Sequence, residues 1–174
     1  MSLDIKKSLL AQTANRLEAE LNALRDAVAA AHDAATHSEN KPENKYDTRG
    51  LEASYLAGAQ EARATQLQAA LDLVNAMVPK SFAAHDAVGP TALVELSTEG
   101  MTAWYFLIQV GGGYRLEITE KISEEITAER APGPVFTLTP QTPLGRALLG
   151  KRIGDEIVVR TDKGEKEYEL SRLV

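Results

Sequence analysis

The sequence predicts an α+β fold, in which an N-terminal antiparallel α-helical coiled-coil hairpin is followed by a small antiparallel β-sheet domain with one short helix. Three observations support this prediction. Apolar residues recur every seven positions in two long segments of the first half, and a short polar tract separates those segments. Beyond Pro79, apolar and polar residues alternate in short runs bounded by Gly and Pro, a pattern typical of strands.

The first predicted helix carries a continuous apolar stripe from its start. Its seam positions, of which only Lys7 is polar, are Leu3, Lys7, Leu10, Ala14, Leu17, Leu21, Leu24, Val28 and Ala31. Such a heptad stripe is typical of a helix packed lengthwise against another helix. It therefore predicts one arm of a coiled coil.

The polar tract occupies residues 36–50, with the sequence THSENKPENKYDTRG. After it the heptad resumes at Ala53, Ala57, Gln60, Ala64, Leu67, Leu71, Val74 and Val78. Two arms with a short polar connection favour a hairpin, although two helices of an ordinary bundle are the alternative. An arm of about 30 residues extends roughly 45 Å and would carry the tract far from the rest of the chain. We predict a hairpin domain over residues 1–80, with its tip at 36–50, and a second domain over 81–174.

The second half contains six predicted strands and one helix. The strands cover residues 91–97, 102–110, 114–118, 135–139, 156–161 and 166–174. Between the second and third strands, the run Gly111–Gly113 predicts a hairpin turn. Thr142 is the expected N-cap of the helix, Pro143 fits its first position, and Gly150 is expected to end it. These signals predict a small antiparallel sheet packed on one helix.

Composition narrows the classes of function. The chain has no cysteine, which excludes disulfides and thiolate nucleophiles and is compatible with a reducing cytoplasm. It contains no apolar run long enough to span a membrane. The formal net charge of −6 argues against strong binding to free nucleic acid, because clustered Lys and Arg drive that binding. We therefore expect a cytoplasmic protein with a protein partner, and no catalytic site of its own.

The tip holds the candidate functional residues. Glu39, Glu43 and Asp47 bring three carboxylates into nine residues. Carboxylates are hard oxygen ligands, so a slender tip inserted into the cavity of another protein would help to hold Mg²⁺ and position a water. The alternative is a solvated turn, since three cations, Lys41, Lys45 and Arg49, nearly balance the acids.

The segment TPLGRALLGKRIGDEIVVRTDKGEKEYELSRL, residues 142–173, closely resembles the C-terminal signature of the bacterial Gre transcription elongation factors, GreA and GreB. That family pattern reads approximately S-P-L-G-R-A-L-L-G-K-x-x-G-D. The preceding strands resemble the FKBP-like domain of the family more loosely. The heptad hairpin takes the place of its coiled coil, so the resemblance extends over nearly the whole chain.

The resemblance implies a mechanism. Gre factors dock their FKBP-like domain at the rim of the RNA polymerase secondary channel and insert the hairpin into it. Acidic tip residues then help to hold the catalytic Mg²⁺ and a water, and the polymerase cleaves the extruded 3′ end of a backtracked transcript. On this basis Glu39 and Glu43 are the expected metal-proximal acids, with Asp47 as a third candidate. The metal is shared with the polymerase, and the nascent RNA is contacted only indirectly.

The tip departs from the family motif, which reads close to G-D-L-K-E-N-A-E-Y. Here Glu39 takes the place of the first Asp, and Pro42 separates Lys41 from Glu43. This departure motivates a first alternative, a channel-binding regulator that competes with cleavage factors without stimulating cleavage. A second alternative is an FKBP-like isomerase or chaperone, whose proline pocket would need aromatic residues, here chiefly Trp104, Tyr105, Phe106, Tyr114 and Phe136.

Overall fold

The structure is a computed structural model and describes residues 2–36, 49–118, 133–162 and 164–174. Helix α1 spans Ser2–Thr36 and helix α2 spans Arg49–Ala76. The strands are β1 Leu93–Thr98, β2 Met101–Leu107, β3 Arg115–Leu116, β4 Val135–Leu138, β5 Glu156–Thr161 and β6 Gly164–Leu173. Helix α3, Pro143–Leu148, lies between β4 and β5. A pair of long helices followed by a six-stranded sheet confirms the predicted fold class.

The chain forms two compact units that are discontinuous in sequence. The sheet unit comprises Met1–Ala14 together with Leu73–Val174, and the helical unit comprises Asn15–Asp72. The first turns of α1 and the end of α2 thus belong to the sheet unit. The division into domains at residues 80 and 81 stays a prediction.

The helical unit is held by the predicted seam. Leu17, Leu21 and Leu67 are buried, and the guanidinium of Arg25 donates a hydrogen bond to the side-chain oxygen of Gln68 at 3.3 Å. The heptad pattern therefore identified the buried residues in the middle of both helices.

The sheet has the strand order β3-β4-β2-β1-β6-β5 and is mixed. β2 and β4 are parallel, with Trp104 opposite Val135, whereas all other neighbouring pairs are antiparallel. The predicted hairpin between β2 and β3 is wrong, because β4 lies between these two strands. The residues that follow β2 instead close around Thr137 of β4, whose hydroxyl donates to the Gly111 carbonyl at 2.7 Å.

Both faces of the central strands are buried. On one face, Val94, Leu96, Leu107 and Leu170 form a core with Leu148 of α3. On the other face, Trp104 and Phe106 of β2 are also buried, because successive strand residues point to opposite sides. A sheet that is apolar on both faces needs cover on both, and α3 supplies only one layer.

Gln12 fixes the first turns of α1 to the edge of the sheet. Its side-chain amide donates to the carbonyl of Glu117 at 2.9 Å, and its side-chain oxygen accepts the Glu117 N–H at 3.0 Å. Glu117 directly follows β3, the edge strand. The amide group of Gln12 thus satisfies the backbone of this edge as a neighbouring strand would.

Lys6 is buried in the same part of α1, with no exposed surface. Its amine donates to the carbonyl of Lys80 and lies 4.6 Å from the ring centroid of Phe82. Desolvation by burial lowers the pKa of Lys6 from 10.5 to about 8. Lys7, which the heptad placed in the seam, is exposed. The expectation for Lys7 is wrong because the first turns of α1 pack in the sheet unit and bury a different side of the helix.

The free energy of unfolding should therefore depend on Lys6 and pH. Because the folded state has the lower pKa, about 8 against 10.5, the unfolded chain binds the proton more tightly and stability rises with pH in this interval. Between pH 7 and pH 9.5 the wild type should gain about 2 kcal/mol more than Lys6→Met. Urea unfolding of both proteins at the two pH values measures this difference. Equal pH dependence in the two would contradict a depressed pKa at Lys6.

Candidate protein-interaction surface

The predicted tip acids Glu39, Glu43 and Asp47 lie outside the described residues, and so does any Mg²⁺ site built from them. Within the described ranges, no group of three or more His, Asp or Glu side chains is placed to hold a metal ion. The role of the tip therefore stays a prediction. The residues that carry the family resemblance are described, and they form a defined surface in the sheet unit.

Helix α3 begins as the sequence predicted. The hydroxyl of Thr142 accepts the N–H of Gly145 at 3.1 Å and donates to the carbonyl of Thr139 at 2.8 Å. Pro143 occupies the first turn, where no N–H is needed. This capping fixes the start of the helix against the end of β4.

Gly145 is required by close packing. A Cβ atom at this position would lie 2.0 Å from the carbonyl oxygen of Thr139, far inside van der Waals contact. The neighbouring atom belongs to the backbone, so it cannot rotate away. The glycine therefore allows α3 to approach the chain that leads into it.

The turn after α3 is held by backbone contacts. Gly150 has a φ of 79°, which favours glycine. Its N–H donates to the carbonyl of Val88 at 2.9 Å, and the N–H of Val88 donates to the carbonyl of Lys151 at 2.8 Å. The carboxylate of Asp155 accepts the N–H of Arg152 at 2.8 Å. The signature residues Gly145, Gly150 and Asp155 thus have structural roles.

Leu148 packs in the core, whereas other side chains of this segment are exposed and form a surface of distinct chemistry. We call residues 146–153 the basic turn. It contains Arg146, Lys151 and Arg152 together with the apolar Leu149 and Ile153, which are 41% and 39% exposed. The amine of Lys151 donates to the Glu156 carbonyl at 3.0 Å, and the guanidinium of Arg152 donates to the carbonyl of His85.

The cations of the basic turn form no ion pair with an acid among the described residues. Every side-chain ion pair of the described residues lies elsewhere. The basic turn therefore carries three cations without an ion pair to a described acid, on a chain whose formal net charge is −6. Exposed aliphatic groups flanked by positive charge suit an acidic protein surface with an apolar centre.

Two of the five aromatic residues expected to line a proline pocket are unavailable to a ligand. Trp104 and Phe106 are buried in the sheet, at 3% and 0% exposure. A groove beside Pro90, with a volume of about 320 Å³, is lined by aliphatic and polar side chains without an aromatic one. These residues give the isomerase alternative no support.

The chain is similar to known transcription factors. Residues 123–172 match the family described as transcription elongation factor, GreA/GreB, C-terminal. The transcription elongation factor GreA of Thioalkalivibrio sulfidiphilus (strain HL-EbGR7) is 26% identical over 95% of each chain. The transcription inhibitor protein Gfh1 of Thermus aquaticus is 29% identical over 72% of this chain and 69% of that protein.

A further relative matches only in part. GreA of Anaeromyxobacter sp. (strain K) is 39% identical over 54 residues, so the chain spans 31% of its length. The C-terminal segment of the chain matches the GreA/GreB family, and most of the chain is similar to a GreA and a Gfh1 protein. No helix within the described residues has the length and apolar character needed to cross a membrane.

Substitution of Gly145 tests the packing of α3. Gly145→Ala should lower the free energy of unfolding by about 2 kcal/mol or more, because the added methyl overlaps a fixed carbonyl oxygen. Gly58→Ala is the matched control, since a Cβ there meets nothing within 4 Å. This control should be neutral or stabilising by up to about 1 kcal/mol, as for Gly to Ala in a helix. Denaturant titrations measure both, and equal effects would contradict the close contact.

Proposed function

We propose that this chain binds RNA polymerase through the basic turn, inserts the tip of its helical hairpin into the secondary channel and stimulates cleavage of backtracked transcripts. Similarity to the GreA/GreB family supports RNA polymerase as the partner. The observation that carries the proposal is the basic turn itself, because the segment that resembles the family signature forms a cationic and apolar surface with no ion pair to an acid among the described residues.

In this proposal the active site is that of the polymerase. Glu39 and Glu43, with Asp47 as the third candidate, approach the Mg²⁺ of the polymerase and contribute carboxylate oxygens as ligands. A second bound cation stabilises charge on the attacking and leaving oxygens of phosphoryl transfer. The chain then supplies ligands and positions a water, and the nascent RNA 3′ end is the substrate of the polymerase.

The second candidate function is a channel-binding regulator that competes with cleavage factors. Two observations favour it. Pro42 and the replacement of Asp by Glu39 alter the spacing of the tip acids, and a displacement of about 1 Å is enough to lose much of a positioned group's effect. The chain is also similar to a protein whose name describes a transcription inhibitor, over 69% of that protein.

Charge reversal in the basic turn should weaken polymerase binding. Arg146→Glu with Arg152→Glu should reduce the affinity for core polymerase by about tenfold or more, with a smaller effect at high salt. Arg115→Glu with Lys166→Glu makes the same change in net charge at other exposed positions of the sheet unit and should bind nearly as the wild type does. Equal losses for the two double variants would show that only net charge matters and would refute this docking surface.

Neutralising the tip should separate binding from cleavage. Glu39→Gln with Glu43→Gln should abolish transcript cleavage in stalled complexes and leave the affinity for polymerase unchanged, because only the metal ligands are lost. The measurement is the yield of cleaved transcript from purified complexes at saturating factor.

The same assay separates the two candidate functions. If the double variant cleaves as well as the wild type, the role of the tip is wrong. If the wild type does not stimulate cleavage and suppresses cleavage by an authentic factor, the chain is the competing regulator.

A further inference from the structure

The two edges of the sheet are treated differently. The β3 edge is satisfied by the side-chain amide of Gln12. The β5 edge runs for six residues, Glu156–Thr161. Among the described residues, one hydrogen bond reaches its outer side, from the amine of Lys151 to the Glu156 carbonyl. An edge strand with free N–H and C=O groups is a template for another strand.

The hydrogen bonding of β5 with β6 identifies which residues face outward. The N–H of Leu170 donates to the carbonyl of Asp155 at 3.1 Å, so the backbone of Asp155 is directed toward β6. Backbone groups alternate in direction along an antiparallel strand. The outward N–H and C=O groups of β5 therefore belong to Glu156, Val158 and Arg160, and of these the Glu156 carbonyl accepts from the amine of Lys151.

The side chains of the same three residues share the exposed face of the sheet. Val158 is 43% exposed although it is apolar, and the side chain of Arg160 is 84% exposed. An acid, an aliphatic residue and a base thus follow one another at alternate positions. This order is symmetrical about Val158, because the acid and the base lie at equal distances on either side.

We propose that β5 pairs antiparallel with β5 of a second copy of this chain, with Val158 opposite Val158 of the other copy. In this register Glu156 of each copy lies opposite Arg160 of the other. A two-fold axis through the Val158 pair generates both contacts at once, as expected for an isologous interface. The paired strands form a continuous sheet through the outward backbone groups of Glu156, Val158 and Arg160.

Charge complementarity selects a second copy as the occupant. Within one chain Glu156 lies directly opposite Glu169 of β6, and like charges in that position are destabilising. Arg160 pairs with Glu165 of its own chain at 3.0 Å, and in the proposed register it also lies beside Glu156 of the second copy. Edge charges of a single sign would prevent self-pairing, whereas Glu156 and Arg160 attract in the proposed register. A single strand pair buries little surface, so the dimer is weak and depends on concentration.

A single cysteine tests the register, because the native chain has none. Val158→Cys places two thiols on residues whose Cα atoms lie about 5.5 Å apart in the paired strands, within the range that a disulfide spans. Under mild oxidation this variant should give several-fold more disulfide-linked dimer than Val78→Cys, an exposed control at 78% exposure. Glu156→Cys should resemble that control, since the two copies of this residue are four positions out of register. Equal yields from all three variants would overturn the register.

Charge exchange gives a second test that requires no cross-link. Glu156→Arg alone and Arg160→Glu alone bring like charges together and should each weaken the dimer in sedimentation equilibrium by about tenfold. The double variant restores opposite charges and should recover most of the wild-type association. Failure of the double variant to recover, with circular dichroism showing intact folding, overturns the pairing. A wild type that stays monomeric at about 1 mM also overturns it, even if an extended peptide from another protein binds the β5 edge.

Discussion

The need to cover a sheet that is apolar on both faces determines the organisation of this protein. Successive residues of β2 are buried on opposite sides of the sheet, with Phe106 on one and Leu107 on the other. Helix α3 packs into the core that contains Leu107. The first turns of α1 belong to the same unit and are tied to the β3 edge by Gln12. The long helix therefore starts as part of the sheet unit and continues as one arm of the helical unit.

Local signals predicted most of the elements, whereas long-range pairing was not predictable. The strand β5 has the predicted bounds, and Thr142, Pro143 and Gly150 behave as their local chemistry indicated, because caps and turns depend on neighbours in sequence. The mixed strand order was missed because alternation of apolar residues gives no information about the partner of a strand. The burial of Lys6 was not predicted for a related reason, since a heptad pattern describes contact with a second helix and not with a sheet.

The candidate site shows the same difference between what local sequence predicts and what only the structure reveals. The signature segment was recognised from the sequence, but only the structure separates its glycines and Asp155, which shape the turn, from the cations and aliphatic residues that remain exposed. The lack of an ion pair between Arg146 and any described acid is a property of three-dimensional placement, and no spacing rule reveals it. The roles of Glu39, Glu43 and Asp47 are inferred from the sequence alone.

The position of β6 between β1 and β5 has a consequence for synthesis on the ribosome. The second neighbour of β1 is β6, which is synthesised about 75 residues after it. Pairing between strands so distant in sequence is slow. The helices, whose contacts are local, form sooner, so the nascent chain contains folded helices before the sheet is complete. Until then the apolar first turns of α1 have no complete surface to pack on, and the growing polypeptide is vulnerable to aggregation.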